Sequence, residues 1–342
     1  MASTIDFESD RVEMFHGSGG KASSDLIEQL FINAFNNPWL QKREDQATFD
    51  LPKGRVVMAT DSHVISPLFF PGGDIGCLSV HGTINDVVMS GAKPCYLSTG
   101  FILEEGFSLK ELKKIVESMA KASLDACVPI VTGDTKVVER GKGDGVYINT
   151  TGIGVVAGEI ELGPSKIQEG DLILISGTLG DHGIAIMSKR ENLEFETPLV
   201  SDTQALNDLV AQMMDAAPQI SCMRDPTRGG LSSTLNEIAD QTGLSMVIYE
   251  NKLPIKSEVK AACELLGLDP LHVANEGKLV CFCPARQAEI LLMVMRDHPK
   301  GKNSAIIGKV VIDQFNRVQM QTAFGGMRGV DWINGEQLPR IC

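Results

Sequence analysis

The stretch RVVMATDSHVISPLFFPGGDIGCLSVHGTINDVVMSGA, residues 55–92, decides the fold. Arg55 to Thr60 is an apolar strand that runs into Asp61, and Asp74 to Ser90 carries apolar residues at helical spacing before closing on Gly91 as a C-cap. A strand ending on a carboxylate and followed by a helix is an αβ unit, and the pattern repeats outward from it. Pro94 to Leu103 reads as a strand. Ser108 to Ala126 reads as an amphipathic helix opened by Ser108 as N-cap with Glu111 at the capping-box position. Val128 to Thr132 is expected as a short buried strand ending at Gly133-Asp134, and Val146 to Val156 alternates as another.

The Gly/Pro/charged stretch from Gly158 to Gly170 reads as a linker, after which the alternation resumes. Strands are expected at Leu172–Ser176, Leu244–Tyr249, Lys278–Cys283 and Ser304–Val311, with a strand and loop at Met223–Gly230. Helices are expected at Asp181–Lys189, Thr203–Ala216, Leu231–Gln241, Lys256–Leu266 and Ala285–Asp297, and Glu191–Ser201 as an exposed loop. The expected organisation is two αβ domains, 1–158 and 165–326, followed by a tail, 327–342.

With 342 residues and 43% hydrophobic content the chain supports two real cores. Its net charge of −13 argues against nucleic acid or an anionic membrane as partner. The opening MASTIDFESD lacks a signal-peptide pattern and no apolar run reaches transmembrane length, so a cytoplasmic protein is expected. The eight cysteines are scattered and not packed into a disulfide framework, and Cys281-Phe282-Cys283 lacks the second ligand pair of a zinc site.

Asp61, Asp86 and Asp134 recur at strand ends or within a helix, where an αβ protein can assemble an oxygen-ligand site for Mg²⁺. Each alone is a weak signal, since an Asp after a strand is more often a turn or cap residue. His16-Gly-Ser-Gly-Gly-Lys21 offers backbone amides and cations for phosphate but departs from a P-loop, with Phe15 and Ala22 at positions that motif reserves for Gly and Ser/Thr. Arg224-Asp-Pro-Thr-Arg228-Gly-Gly, leading into a helix, suits an anion. Asn275-Glu276-Gly277-Lys278 places a carboxylate and an ammonium on one turn, where an ordinary ion pair is the plain expectation.

The given chain closes on Leu338-Pro-Arg-Ile-Cys342. Packing explains little about a thiol there, whereas reach explains more. Gly325, Gly326, Gly329 and Gly335 permit hinging. Extended from Met327, the tail spans about 50 Å, enough to carry the sulfur between a partner and a pocket.

Together these segments (HGSGGK, 16–21; TDSHVISPLFFPGGDIG, 60–76; GTINDVVMSGA, 82–92; VTGDTKVV, 131–138; INTTGIG, 148–154; SGTLGDHG, 176–183; RDPTRGGL, 224–231; ANEGKL, 274–279; PRIC, 339–342) resemble the HypE family of hydrogenase maturation factors. That family lies within the superfamily of aminoimidazole-ribonucleotide synthetase and selenophosphate synthetase. The resemblance implies a two-domain α/β (α+β) aminoimidazole-ribonucleotide-synthetase-like fold, a homodimer through the N-terminal domains, and ATP with Mg²⁺ as cofactors. It implies that a carbamoyltransferase, HypF, loads a carbamoyl group on Cys342. ATP then drives its dehydration to a thiocyanate, whose cyanide passes to a HypC–HypD complex. The nucleotide is expected on His16, Gly17, Gly19, Gly20, Lys21, Asp61, Asn149, Arg224, Asp225, Thr227 and Arg228, and the metal on Asp61, Asp86 and Asp134. Lys136 and Glu276 are the candidate bases, with His16 and His81 as alternatives. Other readings are a different ATP-dependent synthetase or kinase of the superfamily, and a non-enzymatic maturation scaffold. A selenophosphate synthetase would be expected to carry a reactive thiol in the N-terminal loop, and no cysteine precedes Cys77.

Overall fold

The structure is a computed structural model describing residues 5–191, 199–313, 315–332 and 340–341. The N-terminal half begins with a helical segment, α1 (Lys21–Leu26), which widens to a π-helix over Ile27–Ile32 and resumes as α2 (Asn33–Phe35); α3 (Pro38–Gln41) follows. Its sheet is built from β1 (Arg55–His63), β4 (Lys93–Glu104), β5 (Ile130–Val138) and β6 (Val146–Val156) in the order β1-β6-β4-β5, with β2 (Phe69–Phe70) and β3 (Gly73–Asp74) forming a separate small hairpin. Helices α4 (Ile75–Val88) and α5 (Leu109–Ala126) pack together, α4 lying on the sheet. The other sheet face stays open.

Local chemistry sets these boundaries. Asp74 caps α4 by accepting the N–H groups of Gly76 and Cys77, and Ser108 accepts the N–H of Glu111 at the start of α5. Two strands run further than expected. β1 continues through Asp61 to His63, and β5 does not stop at Gly133-Asp134 but pairs in parallel with β4 as far as Val138. Edge pairing overrides the turn signal of Gly-Asp, because each additional residue in register gains a ladder bond.

The C-terminal half holds β7 (Leu172–Ile175), β8 (Cys222–Arg224), β9 (Ser245–Tyr249), β10 (Val280–Cys283), β11 (Ala305–Val311), β12 (Val318–Gln321) and β13 (Met327–Gly329), in the order β13-β12-β9-β11-β7-β10-β8. Its helices are α6 (Asp181–Arg190), α7 (Asn207–Ala216), α8 (Gly230–Thr242), α9 (Ser257–Leu266) and α10 (Ala285–Asp297). The expected helix at Thr203–Ala216 starts at Asn207, because residues 203–206 are taken up in contacts described below. The β12–β13 pair lies where no strand was expected.

One buried apolar cluster joins the halves. It runs from Leu97 and Leu112 through Leu209 and Met213 to Cys281, and it includes Ile341. Gly76 sets the α4–α5 approach: a Cβ there would stand 2.3 Å from the Ile115 carbonyl oxygen. Gly76→Ala should therefore cost about 1–3 kcal/mol of stability by forcing the helices apart, read as a lower urea midpoint; an unchanged midpoint would show that the pair can part without loss.

Candidate functional site

Asp61 and His63 alternate on β1 and point toward α4 at Gly82, whose missing side chain makes room: a Cβ there would lie 3.2 Å from His63 Cε1 and 3.5 Å from Asp61 Oδ2. His63 is buried, with Nε2 3.6 Å from Asp61 Oδ2, and its Nδ1 finds no partner among the described residues. Burial holds the imidazole below its ordinary pKa. Asp86, on α4, faces Asp61 and, across the domain junction, Asp225. Burial first, then Asp225 and Asp61, push the Asp86 carboxyl up to about 7. Burial likewise raises Asp225.

Glu276 completes this acidic cleft. Burial, reinforced by Asp202, Asp225, Asp61 and Asp86, pushes it well above the usual carboxylate range, and its Oε1 lacks a hydrogen-bond partner among the described residues. Arg224 and Arg228 offset the crowding from one side, both lowering the pKa of Asp86. Arg224 also pairs with Glu237 at 2.9 Å. The Asn275-Glu276-Gly277-Lys278 turn does not make the expected internal ion pair. Lys278 instead reaches Asp202 at 2.9 Å, with both side chains buried. Burial alone would raise Asp202, but Lys278, His182 and the Glu276 N–H outweigh it and hold the carboxyl below its ordinary value.

Residues 201–206 form a strap over this cleft. Asp202 accepts the Glu276 N–H at 3.0 Å, and Asn85 on α4 donates to the carbonyls of Gln204 (3.0 Å) and Glu276 (3.2 Å) while accepting the Leu206 N–H (2.8 Å). Gly277 allows the approach, since a Cβ there would meet the Asp202 carbonyl. Asn275 ties the Arg224–Gly230 loop in by donating to the Pro226 carbonyl at 2.9 Å and accepting the Gly180 N–H at 2.8 Å. His81 is held by Thr203 at 3.0 Å, and burial lowers it to about 4. At the strap's start, Ser201 meets His182, which donates to the Ile341 carbonyl at 2.8 Å. The chain's penultimate residue is thus docked beside the cleft, while Cys342 itself lies outside the described residues.

The remaining expected residues stand elsewhere. Asp134 and Lys136 are exposed on the open face of β5 and pair with each other at 2.9 Å. Asn149 shares that face on β6, donating to the Asp61 carbonyl (2.9 Å) and Ser62 Oγ (3.0 Å). In this chain Asp225, and not Asp134, is what crowds Asp61 and Asp86. The N-terminal loop packs on β5: Gly17 lies against Val137, His16 accepts the Glu13 N–H at 2.9 Å, and Gly20 N-caps α1 at Lys21. Beside it, Ile27, Phe31, Phe35 and Phe101 line a mainly apolar pocket together with Asp134 and Thr135. His63, Asn85, Asp202 and His182 were not singled out from the sequence. The alternation of Asp61 and His63 could have flagged one of them; the others become visible only once the two halves meet.

The chain matches the profile of the AIR synthase related protein N-terminal domain over residues 43–156 and that family's C-terminal domain over 168–321. It is 63% identical over 340 residues to carbamoyl dehydratase HypE of Azotobacter vinelandii, covering 99% of this chain and 100% of that protein. A crystal structure of hydrogenase maturation protein HypE in complex with ATP superposes with a TM-score of 0.93 at 48% identity, covering 96% of this chain and 99% of that one. A HypE chain in a HypE–HypF complex superposes with a TM-score of 0.80 at 48% identity over 90% of this chain and 99% of that one.

The raised carboxyls carry a signed prediction. An acid whose pKa rises on folding disfavours the folded state increasingly as pH climbs from its unfolded value near 4 through its folded value, here about 7 for Asp86. Asp86→Asn should therefore melt a few degrees higher than the unsubstituted chain at pH 8, with little difference at pH 4.5. Thermal melts at the two pH values decide this, and a variant that melts lower at pH 8 would mean Asp86 is stabilised as an anion.

Proposed function

The chain belongs to the HypE carbamoyl dehydratases, and from that premise we propose that it uses ATP to dehydrate a carbamoyl group carried on its own Cys342. The balance is Cys–S–C(O)NH₂ + ATP → Cys–S–C≡N + ADP + phosphate, and the thiocyanate supplies cyanide ligands for the [NiFe]-hydrogenase iron centre. The observation that carries this reading is the docked tail, with Ile341 buried and held by His182 at one end of the strap that also holds Glu276. A kinase or synthetase acting on a free small substrate leaves that docking without a purpose, and a scaffold leaves the strained carboxylates without one.

The chemistry follows from the leaving group. A carboxamide oxygen leaves poorly; phosphorylated, it leaves as phosphate while the two N–H protons are removed. Glu276 is the base in this reading, supported by its raised pKa and by an oxygen without a partner among the described residues. Lys136 is the second candidate base, and its position on the open sheet face means it reaches the reaction only if another surface covers that face. Arg224 and Arg228 face the acidic cleft and suit the phosphate charge. The apolar pocket beside the N-terminal loop suits the adenine ring, with His16, Gly17, Gly19, Gly20 and Lys21 toward the phosphates. Asp61, Asp86 and Asp225 are hard oxygen donors whose crowding a divalent cation would relieve, which suits Mg²⁺; Asp134, on the other face of the sheet, would not join them on that ion. Bound there, Mg²⁺ would neutralise phosphate charge.

The open sheet face supports a homodimer. Val56 and Met58 on β1 and Ile102 on β4 are 59%, 69% and 45% exposed, on the face opposite α4. HypF is the proposed carbamoyl donor, and a HypC–HypD complex the cyanide acceptor. ATP use with unpaired thiols suits the cytoplasm.

Intact mass of the C-terminal peptide tests the reaction. After incubation with the carbamoyl donor system the adduct should lose one water's mass on adding ATP. Cys342→Ala should carry no adduct, and Glu276→Gln should accumulate the carbamoyl form, slowed about 100-fold or more. A thiocyanate on Cys342→Ala would place the acceptor at another cysteine. For the dimer, sedimentation should give two copies per particle at tens of micromolar and one for Met58→Lys; a monomeric parent chain would remove that part of the proposal.

A further inference from the structure

The tail is gripped by its backbone. Arg340 adopts a left-handed conformation, φ +54°, and its carbonyl accepts the Ser66 N–H at 3.2 Å and Arg190 Nη2 at 3.1 Å. Arg190 is fixed in turn by donating from Nε and Nη2 to the Ser66 carbonyl, at 3.1 and 2.6 Å. The Arg340 guanidinium pairs with Asp144. One residue on, the Ile341 side chain joins the main apolar cluster and its carbonyl accepts from His182 Nε2 at 2.8 Å.

The surroundings of His182 specify its form. A carbonyl only accepts, so Nε2 carries the proton. Burial holds the imidazole below its ordinary pKa, despite Asp202 nearby and with Lys278 opposing protonation, so the ring is neutral and Nδ1 is a lone pair. Ser201 Oγ, 2.8 Å from Nδ1, donates to it while accepting the Thr203 N–H at 3.1 Å. Phe70 packs edge-on to the ring, centroids 5.6 Å apart. For filling space beside Phe70 an apolar side chain would serve, without the cost of burying two ring nitrogens. One of those nitrogens is committed to the tail and the other to the strap.

We propose that His182 is a positioning residue for the dehydration: by holding the Ile341 carbonyl it sets where Cys342 presents its carbamoyl group to Glu276, with Ser66 and Arg190 fixing the preceding carbonyl. This rests on the dehydration reading. Ser201 and Asp202 are adjacent, so the tail's anchor and the Glu276 backbone hang from neighbouring residues of one strap.

The test uses the full chain. Peptide-resolved alkylation by iodoacetamide compares Cys342 with Cys127, an exposed thiol in the same molecule. His182→Ala should raise the Cys342 rate severalfold relative to Cys127. It should slow single-turnover dehydration of the carbamoylated chain by about tenfold at saturating ATP, leaving the KM for ATP unchanged. His182→Gln, which returns an N–H near the position of Nε2, should restore most of both. Alkylation and turnover unchanged in His182→Ala would overturn the proposal, as would a well-folded His182→Gln no better than Ala. Should His182→Ala fail to fold, Arg190→Gln, which removes a donor from the Arg340 carbonyl, must show the same rise in alkylation and fall in rate; no change there would equally overturn it. If the unsubstituted carbamoylated chain is not dehydrated at all, the function reading fails, while the alkylation comparison still decides whether His182 anchors the tail.

Discussion

Asp202 is the constraint on which the site depends. It is a buried carboxylate that accepts from Lys278 Nζ at 2.9 Å and the Glu276 N–H at 3.0 Å. An unpaired anion there would be prohibitive, so Lys278 must be buried with it, and the two lock the Asn275–Lys278 turn against the strap. Everything nearby is indexed to that lock. Asn85 brings α4 to the strap's far end and to the Glu276 carbonyl, and His182 brings the tail to its near end. The acidic cleft is therefore a product of the junction between the halves, owned by neither.

The electrostatics divide into a satisfied part and an unsatisfied part. Asp202 is neutralised within the fold and held low, whereas Asp86, Asp225 and Glu276 are raised by burial and by one another. Carboxyls crowded in this way are poised either to carry protons near neutral pH or to receive cations.

The αβ alternation, the helix cap at Ser108, and the candidacy of Asp61, Asp86 and the Arg224–Arg228 loop were legible from residue pattern alone. Local signals failed where tertiary partners decide. Gly133-Asp134 reads as a turn but is carried on in β5 by its pairing with β4, which leaves Asp134 and Lys136 on the open face. Thr203 reads as the start of a helix, yet the helix starts only at Asn207, the preceding residues being tied to Asn85 and, through Asp202, to Glu276. Lys278 reads as the partner of Glu276 two residues away, but its ammonium is taken by Asp202, 76 positions distant. His182 and Asn85 sit inside quoted segments without a role that the segments reveal; their meaning lies in groups more than 100 residues away.

Ile341 is part of the apolar core, so a carbamoyl group carried on the next residue, as proposed above, would be a reactant tethered to the folded body. A tethered reactant of this kind has no concentration in solution: its local supply is fixed by the length and stiffness of the connecting segment, commonly in the millimolar range. Turnover of a loaded chain is then first order and indifferent to dilution, and a free thiol ester in the surrounding medium competes only at similar concentrations. Selectivity for the correct acyl carrier comes from chain connectivity, which spares the cleft from having to discriminate among small molecules by affinity.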